Sequence, residues 1–143
     1  MFQAARVRRS PWTCRLVTKA TPMTDPAQPI LFLLRPDFLD PATGDGAFFC
    51  PHCLRLEGLL SIYPVLRHSL QICYVDFPKP RGALAQLAGA ESQSCPQLVL
   101  PAGDDELSGR WSVAGAADAR RIENTADIED YLILRYGLSD RHP

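Results

Sequence analysis

An α/β fold is the class this chain predicts, and three observations carry the prediction. The apolar run Ile30-Leu31-Phe32-Leu33-Leu34 reads as a strand covered on both faces. A segment with helical spacing follows it, behind a pair of cysteines at positions 50 and 53. Shorter β-rich stretches then alternate with further helical segments, giving the order βαβαββα over residues 30–138. Residues 1–29 read as a disordered basic extension ahead of this one domain, and residues 139–143 as a tail.

Composition narrows the function. The chain has 143 residues, 46% of them hydrophobic, which suits one core of ordinary size. No apolar run approaches the ~18–20 residues of a membrane span. The net charge of −1 is unevenly spread. Residues 1–24 carry five basic side chains (Arg6, Arg8, Arg9, Arg15 and Lys19) and no acid. The rest holds ten basic and sixteen acidic residues, a balance of −6 that argues against nucleic-acid binding by the folded part. The basic start fits an organelle transit segment or a mis-assigned start upstream of Met23. Five cysteines (Cys14, Cys50, Cys53, Cys73 and Cys95) do not form a small-domain disulfide framework, and no secretory h-region follows the basic start. A reducing, cytoplasmic location is expected.

Each element has its own signal. After the first strand, residues 35–46 read as a long loop rich in Gly, Pro and Asp, the kind that serves as a lid or binding element. Asp37, Asp40 and Asp45 lack the spacing of a calcium loop and read as turn residues. A helix is expected over residues 50–63, with Pro51 in its first turn, Leu56, Leu59, Leu60 and Tyr63 on one face, and Pro64 ending it. Residues 70–76 alternate as a second strand. Residues 81–90 form a second helix with Leu84, Leu87 and Ala88 inward. Pro96 opens a third strand, Gln97-Leu98-Val99-Leu100. Residues 104–117 around Trp111 form an extended excursion or an extra hairpin. A last strand falls at residues 120–123, and a last helix starts at Asn124 or Thr125 and closes at Gly137. Cys73 on its strand reads as core, while His68 and His142 read as solvated.

The chemistry concentrates in Cys50-Pro51-His52-Cys53. A cysteine at the start of a helix meets unpaired N–H groups and the positive end of the helix dipole, which favour its thiolate. Such thiols have pKa values of about 3.5–7.5 where about 8.5 is ordinary. His52, when protonated, adds to the effect, and Cys53 one turn in is placed to attack a mixed disulfide on Cys50. Two readings compete with this one: a pair without redox function, and half of a zinc site completed by Cys73, Cys95 or His68.

The strand–CxxC–helix order and the strand-opening Pro96 resemble the thioredoxin fold over residues 30–138. The tetrapeptide matches that of the bacterial periplasmic disulfide oxidases, and Cys95-Pro96 resembles the superfamily's cis-proline dipeptide facing the CxxC. Pro96-Gln97-Leu98-Val99 and Asn124-Thr125-Ala126-Asp127-Ile128 with Tyr131-Leu132 are similar to glutathione transferase N-terminal domains. As a whole, the chain most resembles bacterial domain-of-unknown-function family number 3088, whose members open with an apolar strand, a long loop and a Cys-x-His-Cys element. Phe49 stands where thioredoxins carry Trp. The long loop is foreign to thioredoxins, and the oxidases' helical insertion and the transferases' second helical domain are missing.

The resemblance implies a mixed four-stranded sheet with helices on both faces. It also implies thiol–disulfide oxidoreductase chemistry with Cys50, Cys53 and His52 catalytic. Substrate binding falls to Cys95 and Pro96, by strand addition to an extended thiol peptide. It falls also to Thr125 and Asp127, which at a helix start suit the carboxylate and amine of a γ-glutamyl group. Cys95 is a candidate third redox thiol or a small buried hydrophobe. No bound cofactor or metal is expected, with glutathione as possible co-substrate. Expected partners are a thiol or disulfide protein or glutathione, without nucleic acid or membrane, acting on a monomer or weak dimer. The rival classes are a non-catalytic thioredoxin-fold binding module and a zinc protein using the same cysteines.

Overall fold

The computed structural model describes residues 28–116 and 118–143. The basic extension read from the sequence therefore lies, up to residue 27, outside the described residues. The elements run β1 (Ile30–Leu34), β2 (Phe38–Leu39), β3 (Ala47–Phe48), α1 (Pro51–Ile62), α2 (Pro64–Ser69), β4 (Gln71–Val75), α3 (Ala83–Ala88), β5 (Gln97–Leu100), α4 (Asp105–Ser108), β6 (Val113–Ala114), β7 (Arg120–Ile122) and α5 (Thr125–Tyr136).

The main sheet has the order β4-β1-β5-β7-β6. β4 lies parallel to β1, while β5, β7 and β6 continue antiparallel. Five strands replace the expected four. The added one, β6, comes from the excursion around Trp111. The Arg120 guanidinium donates to Ser112 Oγ at 2.8 Å and to its carbonyl at 2.9 Å, drawing the chain back alongside β7. Gly115 makes the return possible, since a Cβ there would sit 2.7 Å from the Leu87 carbonyl oxygen. Both β6 residues are exposed, so no apolar alternation announces this strand.

Two helices also differ from expectation. Pro64 does end α1, but it serves as the first residue of α2 as well, where its missing N–H costs nothing. α3 is shorter than residues 81–90. Gly82 at φ +50 and Gly89 at φ +104 bound it with backbone that a right-handed helix cannot continue. The loop after β1 folds on itself, with β2 and β3 pairing Phe38 against Phe48. Asp40 organises its turn by accepting from Ala42 N–H at 3.2 Å and Thr43 Oγ at 2.7 Å.

The pleat of β1 explains its unbroken apolar run. Leu31 and Leu33 join Leu98, Leu100 and Ile122 in a core roofed by α1 and α5, through Leu56, Leu60, Ile128, Tyr131 and Leu132. Ile30 and Phe32 point the other way, into a core with Cys73, Val75, Val99 and the α3 residues Leu84 and Leu87. Helices thus cover both faces of the sheet. Across the first core, Arg55 of α1 makes a two-pronged ion pair with the buried Glu129 of α5, and Arg141 reaches the same carboxylate at 3.1 Å.

Leu31 and Phe32 are both fully buried, each on its own side of the sheet. Leu31→Ala and Phe32→Ala are each expected to lower the unfolding free energy by about 2–5 kcal/mol in urea titrations. A loss near zero for either would mean that its face of the sheet is not packed as described.

Candidate active site

Cys50 is the N-cap of α1, with extended backbone (φ −82, ψ 114), and its sulfur accepts the Cys53 backbone N–H at 3.3 Å. Pro51 at the first helical position has no N–H to satisfy, so the free amides of the first turn converge on the sulfur. Cys50 is half-buried and Cys53 buried, and both are free thiols, as is Cys95. Two contacts then tie the thiols to the sheet end. The Leu34 N–H points at Cys53 Sγ at 3.4 Å, and Cys50 Sγ lies 3.8 Å from the Cys95 carbonyl oxygen. The peptide joining Cys95 to the buried Pro96 is cis.

The register explains why these segments meet. Phe32 pairs with Gln97, so two residues further along Leu34 comes beside Cys95. Leu98 pairs with Ile122, and the same extension sets Pro96 opposite Asn124, the N-cap of α5. Thr125 and Asp127 therefore open α5 at the end of the sheet that holds the cysteines. Asn124 Oδ1 already accepts from the amides of Ala126 and Asp127, at 2.9 and 3.3 Å. That is the plain capping role, and no contact from Thr125 or Asp127 to the thiols accompanies it among the described residues.

The electrostatics divide the two sulfurs. Cys50 falls from an ordinary 9.0 to about 6. The largest cause is the hydrogen bond from the Cys53 thiol, opposed by burial and aided by the Cys53 and His52 amides and the nearby His52 charge. His52 itself is exposed, and its contribution is the smallest of these. Cys53 is driven strongly upward, first by its bond to Cys50 and then by burial, with the Leu34 amide pulling the other way. Burial raises Cys95 to about 11, against the pull of the Arg81 guanidinium.

A cleft of about 180 Å³ opens beside the pair, walled by Leu33, Pro36, Phe49, Leu54, Glu57 and Tyr74. Phe49 and Leu54 are each 58% exposed at its rim. On its polar side the Tyr74 hydroxyl and Arg67 (2.7 Å) both bind the Glu57 carboxylate. Burial and the bond to Glu57 hold Tyr74 up at about 12, so the phenol stays protonated and donates. The sequence reading missed Glu57 and Tyr74. Glu57 was within reach, since it stands four residues after Cys53 on the same helix face. Among the described residues, no group of three or more His, Cys, Asp or Glu is arranged to hold a metal ion, and no helix is long and apolar enough to cross a membrane.

A two-cysteine motif at a helix mouth, set against the end of a mixed sheet, defines an α/β protein with a candidate thiol site. By sequence, the chain belongs to the family described as protein of unknown function (DUF3088), which it matches over residues 28–140. No curated protein matches it, and no solved structure does.

Thiolate chemistry at Cys50 can be titrated directly. A thiol with depressed pKa gains its reactive form as pH rises through the depressed value. Alkylation of Cys50 by iodoacetamide, followed by peptide mass spectrometry, should therefore titrate with a midpoint of about 6. Below it the rate drops about tenfold per pH unit. Cys53, buried and bonded, should lag far behind. A Cys50 midpoint near that of a free thiol would contradict the geometry.

Proposed function

We propose that this chain is a thiol–disulfide oxidoreductase of thioredoxin-like fold, with Cys50 attacking and Cys53 resolving. The observation that carries the reading is the Cys50 sulfur capping α1 and held by Cys53, with a pKa of about 6. A parallel β4-β1 pair continued by antiparallel β5 and β7, with helices on both faces, supports the thioredoxin-like assignment. β6 is then an addition at the sheet edge.

The Cys50 thiolate attacks one sulfur of a substrate disulfide, and the other sulfur leaves as a thiolate. The mixed disulfide on Cys50 carries no charge, so two of the influences that raise Cys53, its bond to the thiolate and the adjacent charge, vanish, while burial still opposes its ionisation. Cys53 then loses its proton, steadied by the Leu34 amide at 3.4 Å, and attacks the Cys50 sulfur. The second substrate thiolate leaves, and a Cys50–Cys53 disulfide remains. Two thiols of glutathione, oxidised to its disulfide, return the pair to the reduced form.

Glutathione also suits the surroundings. The backbone at Cys95-Pro96 can pair with an extended peptide, and Thr125 and Asp127 at the α5 start offer partners for a γ-glutamyl carboxylate and amine. His52 supports the thiolate by its charge. Protein disulfides reach the same sulfur past the apolar rim of Phe49 and Leu54.

Exchange between the full-length protein and oxidised glutathione decides the matter. Wild type should form a glutathione adduct at Cys50 and turn over in the presence of a reductant. Cys50→Ser should fall to the uncatalysed rate. Full exchange activity in Cys50→Ser would overturn the proposal, and a wild-type protein that binds glutathione without exchanging it would mark a binding module instead.

A further inference from the structure

The cleft that Cys50 and Cys53 both line has two chemically distinct parts. Its rim is apolar, with Phe49 just before the first cysteine and Leu54 just after the second, each 58% exposed. Its polar part is the Glu57 carboxylate, which accepts the Tyr74 hydroxyl. Neither of these groups has a hydrogen to give. The one hydroxyl hydrogen of Tyr74 goes to Glu57, and a carboxylate only accepts. Arg67 holds the same carboxylate at 2.7 Å but is not among the residues that line the cleft. A carboxylate has about four acceptor sites, so bonds from Tyr74 and Arg67 do not exhaust it. The polar part thus calls for a donor, and a second carboxylate brought there would meet lone pairs and a like charge. Size sets a further limit. An apolar cavity of about 150 Å³ holds a benzene molecule, and this cleft has a volume of about 180 Å³. One aromatic ring with one small polar group fills it.

We propose that the cleft is a specificity pocket for an aromatic side chain with a hydrogen-bond donor, tyrosine above all, next to the half-cystine of a polypeptide disulfide. The inference rests on Cys50 being the attacking thiolate. The tyrosine ring sheds water against Phe49 and Leu54, and its hydroxyl donates to Glu57. Phenylalanine gains the apolar part alone. A glutamate side chain offers no apolar ring and is repelled by Glu57. Because Cys50 lines the cleft, a ring seated there holds the neighbouring substrate sulfur close to the attacking one. Glutathione, which has no apolar side chain, gains nothing from the pocket. A polypeptide disulfide is then the preferred oxidant of the pair, and glutathione its reductant.

The test presents the full-length protein with symmetric disulfides of blocked dipeptides, in which tyrosine, phenylalanine, alanine or glutamate neighbours the cysteine on either side. The second-order rate of Cys50 consumption is divided by each disulfide's rate with a small free thiol, which removes intrinsic reactivity. In the better of the two orders, tyrosine should react about tenfold or more faster than alanine, with phenylalanine between them and glutamate slowest. Glu57→Leu, which removes the acceptor and keeps the bulk, should bring the tyrosine-to-phenylalanine ratio to about one. Leu54→Ala should lower the ratio of either aromatic to alanine by several fold. Equal corrected rates for all four peptides, or glutamate the fastest, overturn this inference and leave Cys50 as nucleophile intact. Tyrosine no faster than phenylalanine in the wild type, or a ratio unmoved by Glu57→Leu, removes the role given to Glu57. No reaction of Cys50 with any of the disulfides overturns the inference and the oxidoreductase reading together. Should Glu57→Leu fail to fold by circular dichroism, the order of the four peptides on the wild type still decides.

Discussion

At the mouth of α1 one sulfur accepts a hydrogen bond from the other cysteine of its own motif, and this contact sets the character of the whole site. The Cys53 amide and thiol both turn toward Cys50. Charge at Cys50 is thereby stabilised, and charge at Cys53 is suppressed while Cys50 stays ionised. A helix start alone would lower both thiols, since dipole and free amides act on whatever sits nearby. The bond between them breaks that symmetry. On the proposed reading, one cysteine is open enough to meet a substrate and ionised enough to attack it, and its neighbour in the core takes its turn once the first charge is gone.

The sheet keeps this contact in place from below. Leu34, the last residue of β1, is half in the core and sends its amide to Cys53, so the strand end and the helix start are fixed to each other through sulfur. β5 returns antiparallel and brings Cys95 to the same level, and β7 brings the start of α5 there. The bond from Arg55 to Glu129 then joins α1 to α5 across the first core. β1, β5, α1 and α5 are thus each anchored in buried layers. At the rim of the cleft Phe49 and Leu54 stand exposed.

What could be read in the sequence was local. The five apolar residues of β1, the Pro after Cys50, the i, i+3, i+4 spacing of Leu56, Leu59 and Leu60, and the Asn124 cap each depend on neighbours a few residues away, and each appears in the structure. What escaped depends on distance along the chain. β6 exists because Arg120 reaches back to Ser112 and because Gly115 lets two backbones touch, and neither leaves a periodic trace. Arg81 looked like the ordinary start of a helix. Only the fold turns it into a buried cation held by carbonyls of Phe77 and Gln93. Tyr74 meets Glu57 through the packing of α1 against β4, which alternation along either element does not reveal. Residues 35–46 gave a correct sense of a loop, but the β2–β3 pairing of Phe38 with Phe48 needed the stacking of Phe38 on Phe77, 4.6 Å between ring centres.

A stabilised Cys50 thiolate makes the reduced pair the favoured partner in exchange, and its disulfide correspondingly oxidising. The reduction potential of the Cys50–Cys53 couple is therefore the most direct measure of the central interaction. Equilibration of the full chain against glutathione buffers, with each redox form quantified by alkylation and mass spectrometry, should give a two-electron couple above thioredoxin's, about −270 mV. A couple at or below that potential, or no Cys50–Cys53 disulfide at any glutathione ratio, would contradict the account.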